Sequence, residues 1–380
     1  MSSTSPQKAV SEVKDFYSFS RERLAQDLAD NLGAPRYLAD QLYQWVYRHG
    51  VTDFNTMTNL SKRQREMLAP YFSFPEAKTI SRQISSDGTR KYLFEVQPGI
   101  QVESVMIKQP TRMTLCVSSQ YGCGMACAFC KTGTMGFQGN LSASDIIKQV
   151  LAVIADAKNF NDGFTNIVFM GMGEPLHNFN NVTEALRILT DDLGLSIAPR
   201  KVTVSTVGLV PAIKKFFDAK LGVNLAVSLN ATTDEIRDRI MPVNQRFKIA
   251  ELLDTLRNAD LGRRRKITIE YVMLAGVNDT EDDMHRLVKL LRGMPVKVNL
   301  IPYNSNADLG FDTPSNNWVH SCHDFLNNSG IDSTIRWSKG KDINAACGQL
   351  VSAGKKKPER KEIGGLPKSL PIIPDAILQA

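Results

Sequence analysis

From Thr114 to Trp337 the chain alternates short β-branched runs with amphipathic stretches, and this alternation restricts the possible folds more than any other feature. The runs are Thr114 to Val117, Asn166 to Met170, Lys201 to Ser205, Gly222 to Leu229, Lys266 to Met273 and Lys297 to Ile301. A helical pattern follows each, and a further strand is predicted near Ser333 to Trp337. Repeated βα units demand a parallel sheet, because each crossover helix returns the chain to the same edge. Leu141 to Ala157 shows the logic: Ser142 and Asp145 form a capping-box pattern, and Ile146, Ile147, Val150, Leu151 and Ile154 make one apolar stripe. Six such units fit an open barrel or a doubly wound sheet, and periodicity alone does not choose. In either fold, ligands sit at the carboxyl ends of the strands.

The flanks read differently. From Ser20 to about Phe72 the pattern is helical, with Ser20 placed to cap Arg21 to Asn31, Gly33 ending that helix, and Leu38, Leu42, Trp45 and Val46 at helical spacing. Arg21, Arg23, Arg36, Arg48, Lys62, Arg63 and Arg65 in this module either track phosphates or form a solvated helix face. Between Ala77 and Gln109 the period becomes two, with turns at Asp87-Gly88 and Pro98-Gly99, so two or three antiparallel strands are expected. Glu103 falls there on the face carrying Val105 and Ile107, and a carboxylate on an apolar face is either paired or working. The first dozen residues read as a loose start. Gly354 to Ala380, rich in Lys and Pro, reads as a mobile basic tail. The expected divisions are 1–75, 76–110, 111–353 and 354–380.

Composition excludes several classes. Across 380 residues, 42% hydrophobic and 22% charged, the balance is that of a folded soluble protein. No apolar run approaches the ~18 residues of a membrane span, and Met1 to Asp15 lacks a signal-peptide stretch, so a cytoplasmic protein with no membrane partner is expected. A net charge of +7 is compatible with a polyanionic partner. Six cysteines are too few for a disulfide scaffold, yet Cys123, Cys127 and Cys130 crowd together and suggest a metal.

Those three form a C-x3-C-x2-C spacing in a loop just after the first run. Three thiolates at these offsets can hold one side of a metal cluster and leave a position for an exogenous ligand. Structural zinc and ordinary iron-sulfur sites want four protein ligands, so the alternative is a zinc knuckle completed by Cys116, Cys322 or Cys347. Gly171-Met172-Gly173-Glu174-Pro175 follows the next run; its glycines permit close backbone approach and Glu174 can accept from an ammonium. Ser205, Ser228, Asn230 and Asn304 also end or follow strands. Helix capping explains each singly; together they line one rim where a nucleoside could bind.

With Phe129 just before its last cysteine, the loop resembles the signature of the radical S-adenosylmethionine (SAM) superfamily. That resemblance implies one 4Fe-4S cluster on Cys123, Cys127 and Cys130. Its unique iron chelates the amino and carboxylate groups of SAM, whose reduction releases a 5′-deoxyadenosyl radical. Further segments are similar to one family, the adenine C2 methyltransferases of ribosomal and transfer RNA (RlmN). They are Gln44-Trp45-Val46-Tyr47, Phe54 to Leu60, Lys131-Thr132-Gly133, Gly171 to Leu176 and Asp342 to Leu350 with Cys347 inside it.

The family resemblance implies an α/β fold, an open (β/α)6 partial barrel at 111–353, with an N-terminal helical RNA-binding module at 1–75 and an antiparallel β extension at 76–110. It implies a monomer acting on 23S rRNA and the tRNA anticodon loop, fed by an electron donor such as flavodoxin or ferredoxin. SAM contacts would come from Gly173, Glu174, Ser205, Ser228, Leu229, Asn230 and Asn304, although many relatives carry histidine where Asn230 stands. Two SAM molecules serve each turnover. Cys347 takes a methyl group from the first; the radical from the second activates that methyl, whose carbon adds to adenine C2. Cys116 then resolves the adduct by a disulfide with Cys347, and Glu103 matches the position assigned to the proton acceptor, a role a cysteine could also fill. Two other readings stay open. One is adenine C8 methylation by the same cysteine pair, and the other is a zinc-dependent RNA-binding protein without catalysis.

Overall fold

Ten of the strands that follow the N-terminal helices join into one sheet. The computed structural model describes residues 13–262, 265–305 and 309–351. The strands are β1 (Lys78–Ile84), β2 (Arg90–Gln97), β3 (Ile100–Gln109), β4 (Arg112–Cys116), β5 (Asn166–Phe169), β6 (Val202–Thr206), β7 (Asn224–Ser228), β8 (Ile267–Met273), β9 (Val296–Pro302) and β10 (Ser333–Ile335). Their order in the sheet is their order in the chain. Pairing is antiparallel from β1 to β4 and parallel from β4 to β10. A doubly wound sheet would reverse its strand order at a switch point. Here every crossover adds its strand to the same edge and the end strands β1 and β10 do not pair, which makes an open, singly wound partial barrel.

The crossovers run through helices such as Ala143–Lys158, Phe179–Thr190, Val210–Asp218, Glu281–Leu291 and Asn316–Asn328. Ala143–Lys158 begins with the expected capping box between Ser142 and Asp145, and Ile146, Ile147 and Val150 are fully buried. Leu151 and Ile154 lie at the margin of that stripe, where Val153 is buried instead. The three antiparallel strands turn at Gly88 and Gly99, both at positive φ.

The N-terminal segment folds as helices Arg21–Leu32, Tyr37–Tyr43 and Lys62–Leu68. The second continues as a π-turn over Gln44–Arg48, so the Trp45-Val46 pair sits on a wider helix than the spacing implied. Its core is aromatic: Phe16 meets Phe72 edge-on at 5.4 Å, and Tyr43 meets Tyr47 at 4.9 Å. Gly33 ends the first helix in the left-handed conformation, but the Ser20 hydroxyl makes no capping bond. Ser20 faces the barrel instead, and its N–H donates to Glu184 at 2.7 Å.

The basic residues divide similarly. Arg21 pairs with Asp40 and Asp191, and Arg65 donates to the Asn55 carbonyl, so both are structural. Arg36, Lys62 and Arg63 are exposed. The expected loose start and the basic tail from Gly354 lie outside the described residues. Among the described residues no helix is long and apolar enough to cross a membrane.

Candidate functional site

At the carboxyl ends of the parallel strands lies a solvent-open cleft. It is lined by Met170 after β5, Ser205 of β6, Ser228 of β7, Val272 of β8, Asn304 after β9 and Arg336 after β10. Into the same cleft open Cys123, Cys127, Cys130 and Cys347. The topology brings these groups together because parallel strands all end on one side.

The cysteine loop is built on a short hairpin, Gln120–Gly122 with Phe137–Asn140. The Cys123 N–H donates to the Gly136 carbonyl at 2.8 Å and that of Ala128 to Ile240 at 2.9 Å, while Ala126 takes φ 52° to turn the chain. Cys123 and Cys127 are buried and Cys130 half-buried. Burial pushes all three thiols up, whereas hydrogen bonds from Gly133 and Thr132 pull Cys130 back toward the thiolate. A thiol in such surroundings keeps its proton until a metal displaces it. Among the described residues no three His, Cys, Asp or Glu side chains converge closely enough to chelate a single ion. The triad surrounds shared space, which suits a cluster bound by one thiolate per iron.

The Gly171 to Pro175 turn packs against the chain just before the cysteines. Gly173 sits at φ 97°, and a Cβ there would lie 2.4 Å from Gln120 Cβ, so only glycine fits. Glu174 is buried; its Oε1 accepts from Leu176 N–H at 3.0 Å and its Oε2 from Val207 N–H at 2.9 Å. The Thr206 side chain also hydrogen-bonds to this carboxyl, and one lone pair remains for a ligand in the cleft. Burial raises this carboxyl to about 7, against the pull of the backbone donors.

The Ser228 to Asn230 run divides its tasks. Ser228 and Asn230 line the cleft, whereas Leu229 is fully buried and does not. Asn230 adopts φ 55°, a conformation Asn tolerates well. Its Oδ1 accepts from Val272 N–H at 2.8 Å and its carbonyl from Asn278 at 2.7 Å, which ties the end of β7 to β8.

Cys347 lies on a segment laid across the cysteine loop. The Lys131 N–H donates to Gly348 O at 2.7 Å, Thr132 Oγ1 to Leu350 O at 2.7 Å, and Val351 N–H to Glu103 Oε2 at 2.8 Å. Glu103 is thus buried and paired, with Lys91 Nζ 3.0 Å from Oε1. Burial raises its carboxyl and Lys91 opposes the shift. Cys116, the last residue of β4, is buried beside the cleft; it takes a hydrogen bond from Met170 N–H and neighbours both Cys347 and Arg336. Burial raises Cys116 to about 12. All six cysteines are free thiols.

Three charged residues of the site escaped the sequence reading. Arg336 Nη1 donates to Met170 Sδ at 2.9 Å and stands among Cys347, Cys116 and Glu270. Glu270, in the middle of β8, is 4% exposed and lines the cleft. Arg237 is fully buried, and its guanidinium donates to the carbonyls of Leu229 at 2.9 Å, Val207 at 2.7 Å and Ser228 at 3.2 Å, and to Asn244 Oδ1 at 2.9 Å. Its positive charge also favours the Cys127 thiolate. The available signal for Arg336 and Glu270 was position, a charge within or just after a β-branched run. Arg237, between two aspartates in a helical pattern, gave no such sign.

Comparison with known proteins agrees with this geometry. Residues 117–290 match the model of the radical SAM superfamily, and residues 14–73 that of the ribosomal RNA large subunit methyltransferase N-terminal domain. A dual-specificity RNA methyltransferase RlmN from Geobacter sulfurreducens is 49% identical over 318 residues, covering 84% of this chain and 87% of the relative. A second, RlmN 2 from Myxococcus xanthus, is 45% identical over 355 residues, 92% of this chain and 93% of the relative. Among solved structures, a radical SAM methyltransferase from Sphaerobacter thermophilus superposes with a TM-score of 0.81 at 39% identity, covering 88% of this chain and 98% of that one. A cysteine loop at the mouth of an open parallel barrel, a helical N-terminal segment and full-length similarity together place the chain in the RlmN family of radical-SAM RNA methyltransferases, whose cofactors are a 4Fe-4S cluster and SAM.

Proposed function

We propose that this chain forms 2-methyladenosine in 23S rRNA and in the tRNA anticodon loop, with Cys347 as methyl carrier and Cys116 as the thiol that releases the product. The observation that carries the reading is the cluster of Cys347, Cys116 and Arg336 beside the cysteine loop. Amidine carbon C2 of adenine is not a nucleophile, so a methyl group cannot pass to it directly from a sulfonium. A carrier is required, and two thiols within reach of each other supply both a carrier and a means of release.

Cys123, Cys127 and Cys130 would hold the cluster, with Gly173, Glu174, Ser205, Ser228, Asn230 and Asn304 around SAM. When bound, these groups supply an electron and the 5′-deoxyadenosyl radical. Leu229 contributes through its backbone, since its side chain is in the core. Glu174, which already accepts from Leu176, Val207 and Thr206, has one lone pair left for the SAM ammonium. Cys347 is exposed to the cleft, as a methyl acceptor must be, and its segment is pinned to the cysteine loop by Lys131 and Thr132. Once Cys347 is bonded through carbon to adenine, the adduct would have to give up its unpaired electron to a one-electron acceptor, such as the oxidised cluster, and its C2 proton to a base. Attack of the Cys116 thiolate on the Cys347 sulfur would then break the carbon–sulfur bond and form a disulfide, and the released carbon would take up a proton to give the methylated base. Glu103 anchors Val351, and its raised carboxyl suits a group that takes up a proton. Arg36, Lys62 and Arg63 offer exposed charge for RNA phosphates.

The test is separation of the two thiols. With Cys347→Ala neither methylated protein nor methylated RNA is expected. With Cys116→Ala a covalent protein-RNA adduct should survive denaturation and leave modified adenosine on the Cys347 peptide after nuclease digestion. Free methylated RNA released at an undiminished rate by Cys116→Ala would rule out this cysteine as the resolving group and reopen the case for Glu103 as the proton acceptor. Methylation found at C8 would replace the C2 assignment.

A further inference from the structure

A second cavity lies inside the partial barrel. It shares Met170, Glu270, Ile301, Arg336, Ser338 and Cys347 with the first, so the two meet at these residues. Arg112, Arg200, Lys297 and Lys339 also line it. A polyanion whose base enters through this cavity would bring its phosphates to cationic side chains.

Glu270 stands at the junction. Along β8, Thr268, Glu270 and Val272 face the cavities while Ile267, Ile269 and Tyr271 are buried on the opposite face. Its Oε1 accepts from Asn299 Nδ2 at 3.0 Å. Its Oε2 is buried and has no hydrogen-bond partner among the described residues. The Arg336 guanidinium is 3.9 Å away, beyond hydrogen-bond range. An unpartnered carboxyl oxygen in a buried site is costly, and a ligand that bonds to it recovers that cost.

We infer that Glu270 reads the Watson–Crick edge of the target adenine, accepting from its exocyclic amine and donating to N1, and thereby selects C2 as the carbon presented to the cysteines. The inference rests on the reaction proposed above. Adenine offers a donor and an acceptor side by side at N6 and N1, and a carboxylic acid offers the complementary pair. C2 is bonded to N1, so a base held by this edge places C2 next to the reader. Arg336, which approaches Glu270 Oε2, is also a neighbour of Cys347 and Cys116. C8 lies on the far side of the purine, away from that edge. A hydrogen bond at N1 draws electron density from C2 and favours addition of the carbon carried on Cys347. Burial raises the Glu270 carboxyl, against Arg336 and Asn299, which suits a group that must carry the proton given to N1.

The experiment compares two short anticodon-stem-loop RNAs, one with adenosine and one with purine riboside (adenine lacking its amine) at the target position. Wild type, Glu270→Gln and Glu270→Ala are assayed anaerobically in single turnover. Wild type should prefer adenosine by about tenfold or more, the cost of leaving a buried acceptor unpaired. Glu270→Gln should keep that preference within about threefold, because an amide provides the same acceptor and donor. Glu270→Ala should slow on adenosine RNA and treat the two RNAs alike within about twofold, since no edge reader remains. If Glu270→Ala is too slow to assay, competition binding of the same RNAs reads the same ratio. A wild type that methylates both RNAs equally, or a Glu270→Ala that keeps the full preference in rate or binding, overturns the role of Glu270 and leaves the proposed reaction standing. A wild type that cleaves SAM reductively but leaves adenosine RNA unmethylated overturns that reaction, and this inference with it.

Discussion

Arg237→Met tests how the rim of the cleft is held. The guanidinium bonds the backbone carbonyls of Val207, Ser228 and Leu229 and the Asn244 side chain, with a longer bond to Phe247 O, all in a buried setting. Methionine fills similar space without donors, leaving these carbonyls and the amide oxygen unmatched. Each such group costs about 1–3 kcal/mol when its partner is removed. Part is offset because the cation no longer has to be desolvated; burial lowers this guanidinium to about 10 against the pull of Cys127, Asp234 and Asp238. The net loss should be about 3–5 kcal/mol, the range for breaking a buried charged network. Arg237→Lys keeps the charge but cannot fork to all these acceptors, so it should fall between Met and wild type. Urea unfolding followed by circular dichroism measures the stability, and equilibrium dialysis in buffer measures SAM binding, which should weaken because Ser228 and Leu229 lose their anchor. A stability change below about 1 kcal/mol with unaltered SAM affinity would refute the reasoning, since surface substitutions alone reach that size.

Two further outcomes follow from the cleft. Anaerobically reconstituted protein should carry about four irons per chain, and replacing Cys123, Cys127 and Cys130 together with Ala should remove them while cooperative unfolding persists; stoichiometric zinc without iron would oppose the cluster. Glu174, raised from 4.5 to about 7 in the folded chain, holds a proton there that the unfolded chain releases. The metal-free, SAM-free chain should therefore lose stability as pH rises from about 4.5 to 7, by at most ~1.4 kcal/mol per pH unit for one proton. Thermal melts of Glu174→Gln should lack that slope, and an equal slope in both proteins would assign it elsewhere.

Local chemistry made much of this protein legible in its sequence. The strand-helix alternation, the capping box at Ser142, the turns at Gly88 and Gly99 and the C-x3-C-x2-C loop all depend on neighbours within a few residues. Each of these stands where the sequence placed it. The ordering of strands was not local: open barrel and doubly wound sheet share the same repeat, and only pairing along the sheet distinguishes them. Ser20 shows the limit at small scale, since a serine before a helix reads as a cap until Glu184, 164 residues away, takes its N–H. Glu103 read correctly as a carboxylate needing a partner, but its partners Lys91 and Val351 come from a neighbouring strand and from the far end of the described chain. Asp-Glu-Ile-Arg-Asp-Arg-Ile looks like a solvated helix turn, yet Arg237 points inward and donates to backbone carbonyls at two strand ends. The gathering of Cys116, Glu270, Arg336 and Cys347 belongs to tertiary structure alone. Strands distant in sequence end on one side of a parallel sheet, and the carbonyls, thiols and charges that meet there acquire partners, burial and shifted proton affinities that no residue carries by itself.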